Sequence, residues 1–368
     1  MAVWQDIVNT LIAEIRNGGM KEGERLPSEE LIAQRFGVSR QTAHRALQEL
    51  SRTGLIIRKR RWGSFVAAQN TSETPLIAVV FDYASDFPQG EMLRGIQAGI
   101  ANEFHVLLID AAGDPTSGLD RLKEIRSSVG GILAYPFCDG TDDSAYDELI
   151  QSYQDGTGVP IVFIDRRPIG VQGDLVSSNN YAATRQALEH LVAQGHRRIA
   201  FFSGDNTNTS TIQERHQAHL DICEELGVDP EPLTRWFPKI LENHPDRLTV
   251  TVRDTLFGLA HMPDAPTALF CTQDIYSATV MDVHDQIPSL PNLAISSFND
   301  WPANVFRQAV RIDRIIQPTF EIGRQASELL VQRMTERTSA FVEVRPGCRF
   351  EPASTVSLKP TALSPESL

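Results

Sequence analysis

Cysteine is scarce: Cys138, Cys223, Cys271 and Cys348 are the four in 368 residues, scattered with no metal-ligand spacing. They do not form a disulfide framework or a zinc module and read as reduced, mostly buried side chains. Long apolar runs are missing as well. The longest, such as "LIAVVF", are far too short to cross a bilayer, and the chain opens on an amphipathic pattern in place of a signal peptide's apolar core. A soluble, cytoplasmic protein without a membrane partner is expected. The chemistry motifs are absent too: no G-x-G-x-x-G, no phosphate-binding P-loop, no H-E-x-x-H and no G-x-S-x-G, so the sequence offers no catalytic residue and no cofactor. His216 and His219 stand three apart but lack a third ligand, so they read as part of a solvated helix face, with no metal expected. "DGTDD", Asp139 to Asp143, lacks calcium-loop spacing and reads as a surface turn. There is no short-period repeat or low-complexity tract.

What is present is an ordinary globular composition, 41% hydrophobic and 22% charged, at a length that suits more than one domain. "FGVSRQTAHRALQELSRTG", Phe36 to Gly54, reads as a turn and one compact helix, capped by Ser39 and ended by Gly54. Ala43, Ala46, Leu47 and Leu50 recur at helical intervals as one apolar stripe. The far side carries Gln41, Arg45, Gln48 and Arg52, with Arg40 and His44 on its flank, groups that can bind base edges or phosphates. Upstream, "LPSEELIAQRFGVS" reads as a shorter helix capped by Ser28, with Glu29 and Glu30 at its positive end, Leu31, Ile32 and Phe36 on its apolar side, and Gly37 in the turn. A longer helix comes first, with Trp4, Ile7, Val8, Leu11 and Ile15 on one face. "LIIRKRRWGSFVAA" then reads as a hairpin with four consecutive cations, Arg58, Lys59, Arg60 and Arg61.

Three helices and a basic hairpin make a winged helix-turn-helix. For one helix alone a solvated polar face would be the better reading, but the charge distribution argues otherwise. Residues 1–70 contain 11 Lys and Arg against 7 Asp and Glu, a net +4, whereas the rest holds 23 against 40, a net −17, within the overall −13. A basic head on an acidic body favours DNA contact by the head alone.

Over roughly its first 70 residues the chain resembles the DNA-binding domain of the GntR family of bacterial transcription regulators. The resemblance rests on "LPSE", "FGVSRQTAHRALQEL", "GLI" and "GSFV". It departs at Glu30 and His44, where many members carry Arg, which bears on the operator sequence and not on the DNA-binding role. The resemblance implies that Arg40, Gln41, Thr42, His44 and Arg45 meet bases or nearby phosphates, and that Arg60, Arg61 and Gly63 act in the wing.

A polar stretch, residues 69–75, follows the head (1–68) as a linker. From Leu76 onward short apolar runs alternate with helical stretches: "LIAVVFD", "HVLLID", "GGILAYP", "PIVFID", "RRIAFFSG", "TALFCTQD" and "LAISSFND". This pattern implies an α/β body of parallel sheets with helices on both faces, and seven strands suggest two sheets. Ligands of doubly wound sheets bind beyond the carboxyl ends of the strands. The candidates there are Asp82, Tyr83 and Phe87, then Tyr135 and Phe137, then Asp165 and Arg166, and later Asp274, Asn299 and Asp300. Carboxylates and amides suit paired hydroxyls, and an aromatic face suits the C–H side of a sugar ring.

The body, from about Pro75 to Val356, resembles the effector-binding core of the LacI/GalR repressors, itself similar to periplasmic sugar-binding proteins. The resemblance rests on "NNYAATRQALEHLVAQGHRRIAFFSG", "ERHQAHLDICEELG", "TALFCTQD", "LAISSFND" and "IIQPTFEIGRQASELLVQRM". It implies two lobes joined by three crossovers around a ligand cleft: one of about 76–167 plus 310–337, the other of about 168–309 plus 338–358, with a tail at 359–368. It singles out Arg215, Asn299 and Asp274 as ligand contacts and places Trp236 near a position often held by an aromatic. The hinge helix of LacI/GalR members is replaced here by the GntR-like head and linker, an arrangement similar to arabinose-responsive repressors.

The resulting expectation is a homodimeric repressor without enzymatic activity. It would bind a palindromic operator in double-stranded DNA under control of a small sugar held by Phe87, Tyr135, Asp165, Arg166, Arg215, Trp236, Asp274 and Asn299. The alternatives are a cytoplasmic sugar-binding or sugar-modifying protein without DNA binding, and a regulator sensing a nucleobase or a phosphorylated metabolite.

Overall fold

A computed structural model describes residues 3–16, 20–21, 23–52, 55–59, 63–66, 76–84, 87–100, 103–138, 143–284, 287, 293–298, 312–336, 338 and 340–353. The chain forms two compact units, Met1–Thr74 and Pro75–Leu368.

In the first unit, α1 (Val3–Arg16), α2 (Glu29–Phe36) and α3 (Arg40–Arg52) precede an antiparallel hairpin of β1 (Ile56–Lys59) and β2 (Gly63–Val66). Ser28 caps α2, its Oγ accepting from the Leu31 amide at 3.3 Å, and Gly37 ends it at φ 63°. Ser39 does the same for α3, accepting from the Thr42 amide at 3.1 Å. Ala43, Ala46, Leu47 and Leu50 are buried against Ile7, Leu11, Ile15 and Ile32. The two alanines let the neighbouring helices approach closely. Leu31 corrects one expectation: it is 56% exposed, while Ile32 is fully buried. In so short a helix Ile32, Ala33 and Phe36 face the core, and Leu31, one residue earlier, points about 100° away. The segment before α2 extends the hairpin, with the Leu26 amide donating to Ser64 O at 2.8 Å and the Val66 amide to Glu24 O at 2.8 Å. Gly54 and the 69–75 linker lie outside the described residues.

The second unit holds two six-stranded sheets. Its elements are β3 (Leu76–Phe81), α4 (Phe87–Gly99), β4 (His105–Asp110), α5 (Pro115–Ile125), β5 (Gly131–Ala134), α6 (Asp143–Gln154), β6 (Ile161–Ile164), β7 (Asp174–Val176), α7 (Asn180–Ala193), β8 (Ile199–Gly204), α8 (Ser210–Leu226), β9 (Thr234–Phe237), α9 (Pro245–Ala260), β10 (Ala268–Cys271), α10 (Asp274–His284), β11 (Ala294–Phe298), β12 (Asp313–Ile316), α11 (Thr319–Thr335), β13 (Glu343–Val344) and β14 (Arg349–Glu351). The first sheet runs β13-β7-β6-β5-β3-β4 and is wholly parallel; the second runs β14-β12-β11-β10-β8-β9, with only β14 antiparallel. Continuous apolar strands are explained by burial on both faces. Along β3, Ile77, Val79 and Phe81 pack on one side with α4 and α11, and Ala78 and Val80 on the other with α5 and α6. No helix among the described residues is long and apolar enough to cross a membrane.

Strand pairing moves the lobe boundaries from those expected. β7 pairs with β6, so the first crossover falls at 177–179 and not near Arg167. The reason is the buried carboxylate of Asp174, which accepts from Arg333 Nε and Nη2, both at 2.8 Å, and from the Val342 amide at 2.8 Å. β12 pairs with β11, which places residues 313–316 in the second lobe, and the second crossover follows Ile316. β13 returns to the first sheet beside β7 before the chain crosses a third time to β14. The 359–368 tail lies outside the described residues.

The first lobe also depends on one close helix contact. A Cβ on Gly95 of α4 would stand 1.9 Å from Phe320 O, and one on Gly323 of α11 would stand 2.0 Å from Met92 O. Alanine in a helix interior ordinarily gains up to about 1 kcal/mol over glycine. Here Gly323→Ala should instead cost about 1–3 kcal/mol through overpacking, read as a lower midpoint of thermal unfolding. An equal or higher midpoint would contradict the close approach.

Candidate functional site

The parallel strands of both lobes end on one cleft of about 430 Å³, inside the range of about 300–1,000 Å³ usual for small-molecule sites. Beyond β3 stands Asp82. Its Oδ1 accepts from the Tyr83 amide at 2.8 Å and from Gln89 Nε2 at 3.2 Å, and its Oδ2 from Arg166 Nη2 at 2.8 Å. Both members of the Asp82–Arg166 pair are buried, and the guanidinium lies 3.8 Å from the centre of the Tyr135 ring. Asp165, just after β6, adopts φ 65°, a left-handed conformation that aspartate tolerates better than most residues.

From the second lobe, Arg215 of α8 enters the cleft floor, 5% exposed and 3.5 Å from the centre of the Phe298 ring. Its Nε and Nη2 donate to Asn180 Oδ1 at 2.9 and 2.7 Å, Nη1 to Thr272 O at 2.6 Å, and Nη2 to Gln317 Oε1 at 3.2 Å. Asn180 begins α7, Thr272 follows β10 and Gln317 lies in the second crossover, so one cation ties three segments of the lobe together. Gln317 Oε1 also accepts from Ser178 Oγ, in the first crossover, at 3.1 Å. Glu242 accepts from the Tyr276 hydroxyl at 2.7 Å. Burial raises Glu242 above the usual carboxylate range, against the opposing effect of Tyr276, Lys239 and Arg166. The lobes touch at the rim, where Asn208 Nδ2 donates to Asp143 Oδ2 at 2.9 Å and the Arg167 amide to Ser210 Oγ at 3.1 Å.

Four buried polar atoms bordering the cleft have no protein partner: Gln89 Oε1, Asp165 Oδ1, Asn206 Oδ1 and Arg166 Nε. Three are acceptors and one is a donor, the complement of a molecule rich in hydroxyls. The Arg215 guanidinium, by contrast, is already engaged by the protein through all three nitrogens, and Arg166 is engaged at Nη2.

The structure brings Tyr135, Asp165, Arg166, Arg215 and Asp274 together on this cleft. Trp236 is a correction. It packs in the core of the second lobe against Phe201 and His216, with ring centroids 5.9 and 5.0 Å away, because its strand directs it to the face covered by α8. The α8 histidines are also corrected. His219 is fully buried, its Nε2 2.9 Å from Ile199 O, and burial lowers it to about 4; His216 is half-buried. Asn299 and Asp300 lie outside the described residues, as does the Phe87 side chain at the start of α4. Gln89, Asn206, Glu242, Phe298 and Gln317 were missed. Asn206 follows the end of β8 and Phe298 closes β11, both within reach of the same rule, whereas Gln317 follows β12, a strand the apolar pattern does not show, and Gln89 and Glu242 sit in helical turns that strand patterning does not address. No group of three or more His, Cys, Asp or Glu among the described residues is arranged to hold a metal ion.

The second candidate surface is in the head. Arg40, Gln41, His44, Arg45 and Gln48 are exposed on α3, Thr42 is half-buried, and the Arg45 guanidinium lies 4.8 Å from the centre of the Trp4 ring. Gly63 opens β2 at φ 108°, with the Arg25 guanidinium against it. Arg60 and Arg61 lie outside the described residues. Burial acts to raise Glu29, but the hydrogen bond and charge of His44 and the charge of Arg58 outweigh it and hold the carboxyl below the usual range.

Burial raises the Asp165 carboxyl, with Asp82 adding to the effect and Arg166 and Arg215 opposing it. Because its folded pKa stands above the unfolded one, its contribution to stability is complete below the unfolded pKa and is lost as pH rises through the folded pKa. Asparagine cannot ionise. The stability of Asp165→Asn relative to the parent should therefore climb with pH across that window and stay flat below it. A difference independent of pH, in urea unfolding at a series of pH values, would contradict the buried carboxylate.

The profile described as "Bacterial regulatory proteins, gntR family" matches residues 4–66, and "Periplasmic binding protein-like domain" matches residues 188–355. The chain is 26% identical over 343 residues to the arabinose metabolism transcriptional repressor of Geobacillus stearothermophilus, covering 89% of this chain and 90% of that one. It is 25% identical over 347 residues to the HTH-type transcriptional regulator RafR of Escherichia coli, covering 88% and 97%. Among solved structures, the transcriptional regulator CelR in complex with cellobiose superposes with a TM-score of 0.63 at 21% identity, covering 89% of this chain and all of that one. These relatives are transcription regulators and not enzymes. The chain thus carries a match to a GntR-type helix-turn-helix domain followed by a match to a periplasmic-binding-protein-like domain, and is similar over most of its length to the arabinose metabolism repressor and to RafR.

Proposed function

We propose that the protein is a cytoplasmic, homodimeric repressor of carbohydrate-utilisation genes whose affinity for a palindromic operator is set by a small neutral sugar in the cleft. The observation that carries the DNA role is the division of α3: its apolar residues are all buried, and its exposed side presents Arg40, Gln41, His44, Arg45 and Gln48. Arg, Gln and His donors on an accessible helix suit base edges in the major groove, and the β1–β2 hairpin supports reading it as a wing on the adjacent backbone. Two heads of a dimer would each take one half-site.

For the ligand, the unpartnered acceptors Gln89 Oε1, Asp165 Oδ1 and Asn206 Oδ1 favour a molecule that donates several hydrogen bonds. Four carboxylates border the cleft (Asp82, Asp165, Glu242 and Asp274) against three cations; Arg215 is engaged at all three nitrogens, and Arg166 is paired with Asp82 and keeps one open donor, Nε. That balance favours an uncharged polyol over a sugar phosphate. Closing the lobes on such a ligand would select one body conformation and so the spacing of the two heads.

In a fluorescence-anisotropy titration of the full chain against operator duplex, affinity should fall steeply as salt rises, and Arg45→Ala should cost about 1–3 kcal/mol if Arg45 reads a base. Salt-independent binding would sink the DNA role; an unchanged affinity for Arg45→Ala would sink the role of that residue.

A further inference from the structure

Glu29 sits at the first turn of α2, held in place by the Ser28 cap and favoured there by the helix dipole. Its carboxylate is a meeting point for the side chains that face a duplex. Oε1 lies 2.7 Å from His44 Nδ1 and 2.7 Å from Arg58 Nη2, and Oε2 lies 3.6 Å from Arg40 Nε. His44 and Arg40 come from α3 and Arg58 from the first strand of the wing. Glu29 is 22% exposed at its side chain, whereas Arg40 and His44 are 75% and 50% exposed. Arg25, against Gly63 of the wing, borders the same recess. A single carboxylate therefore links the reading helix to the wing.

We propose that Glu29 is a specificity-determining positioning residue: an internal stand-in for a DNA phosphate that holds Arg40, His44 and Arg58 until a matching operator replaces it. The proposal rests on the DNA-binding reading above. A duplex of arbitrary sequence offers phosphates but no matched base edges. To engage it, the three side chains must leave Glu29, and nothing beyond phosphate contact offsets that loss. An operator that also satisfies the exposed Gln41, Arg45 and Gln48 supplies the difference in base contacts. The carboxylate thus weakens wrong complexes more than right ones, a discrimination made by penalising the competitor.

The test uses the full chain and two labelled duplexes: one of scrambled sequence, and one recovered by the parent protein from a randomised library. Glu29→Gln should bind the scrambled duplex about three- to tenfold more tightly at low salt. Its dependence of log affinity on log salt should steepen by about one, as one further phosphate contact becomes available. The gain on the selected duplex should be smaller, so the ratio between the two falls. Glu30→Gln removes the same charge from the next, exposed position and should leave that ratio near the parent's. Glu29→Asp keeps the charge but shortens its reach, and should move the ratio in the same direction as Glu29→Gln. Equal effects of Glu29→Gln and Glu30→Gln would reduce Glu29 to net charge and overturn the proposal. So would a proportional loss on both duplexes in Glu29→Gln, the mark of a purely structural residue, or parental ratios in both Glu29 variants. Failure of the parent itself to bind any duplex would instead overturn the DNA-binding reading and this proposal with it.

Discussion

Two guanidiniums are buried where the sheets of the two lobes end, and burying a cation is tolerable only when its donors are met. Arg166 is met at Nη2 by Asp82 of the same lobe, which is itself fixed by Gln89 and the Tyr83 amide, and its Nε is left open to the cleft. Arg215 is met by an amide from α7, a backbone carbonyl after β10 and a glutamine from a crossover. These requirements tie the floor of the cleft to the segments that cross between the lobes. Gln317 accepts both from Arg215 and from Ser178, so two of the three crossovers and the cleft floor share one side chain. On the proposed function, a ligand hydroxyl that competes for any of these groups would act on the crossovers as well as on the pocket.

Satisfying the arginines internally also shapes what the cleft can hold. With Arg215 engaged, Arg166 paired with Asp82 and three acceptors left over, the pocket supports the proposal of a donor-rich neutral ligand. The head follows the same logic in reverse. Its cations are exposed on α3 and gathered in part by one carboxylate, Glu29, so the positive charge available to DNA is held back at the surface and not spent in the interior.

The sequence was most legible where chemistry and period agreed. β3, β5, β6 and β10 are unbroken apolar runs, and β8 and β11 are apolar runs that also carry buried serines, because both of their faces are covered; the α3 stripe of Ala43, Ala46, Leu47 and Leu50 follows helical spacing to the residue. β7, β12, β13 and β14 were not legible. They have two to four residues each and carry Asp174, Asp313, Arg314, Glu343 and Arg349, charges tolerated through long-range partners such as Arg333 for Asp174. Missing them displaced the expected lobe boundaries by several residues. In the cleft, the strand-end rule reached Tyr135, Asp165, Arg166 and Asp274, and the resemblance added Arg215. Trp236 was misplaced because proximity to a strand end says nothing about which face of the sheet a side chain takes. His219 was misread because its partner, the Ile199 carbonyl, lies on another element, and helical spacing alone cannot separate a buried core histidine from a surface one.

The central claim is that the cleft and the reading helix are energetically coupled through a neutral sugar. Its most direct measurement is calorimetry of the full chain against pentoses, hexoses, their phosphates and purines, followed by operator titration with and without the best binder. The account predicts that an unphosphorylated sugar binds best, and that at saturation it changes operator affinity by about 5- to 150-fold, an effect lost in Arg215→Ala. Tightest binding by a phosphorylated compound or a purine, or an operator affinity identical with and without saturating sugar, would contradict it.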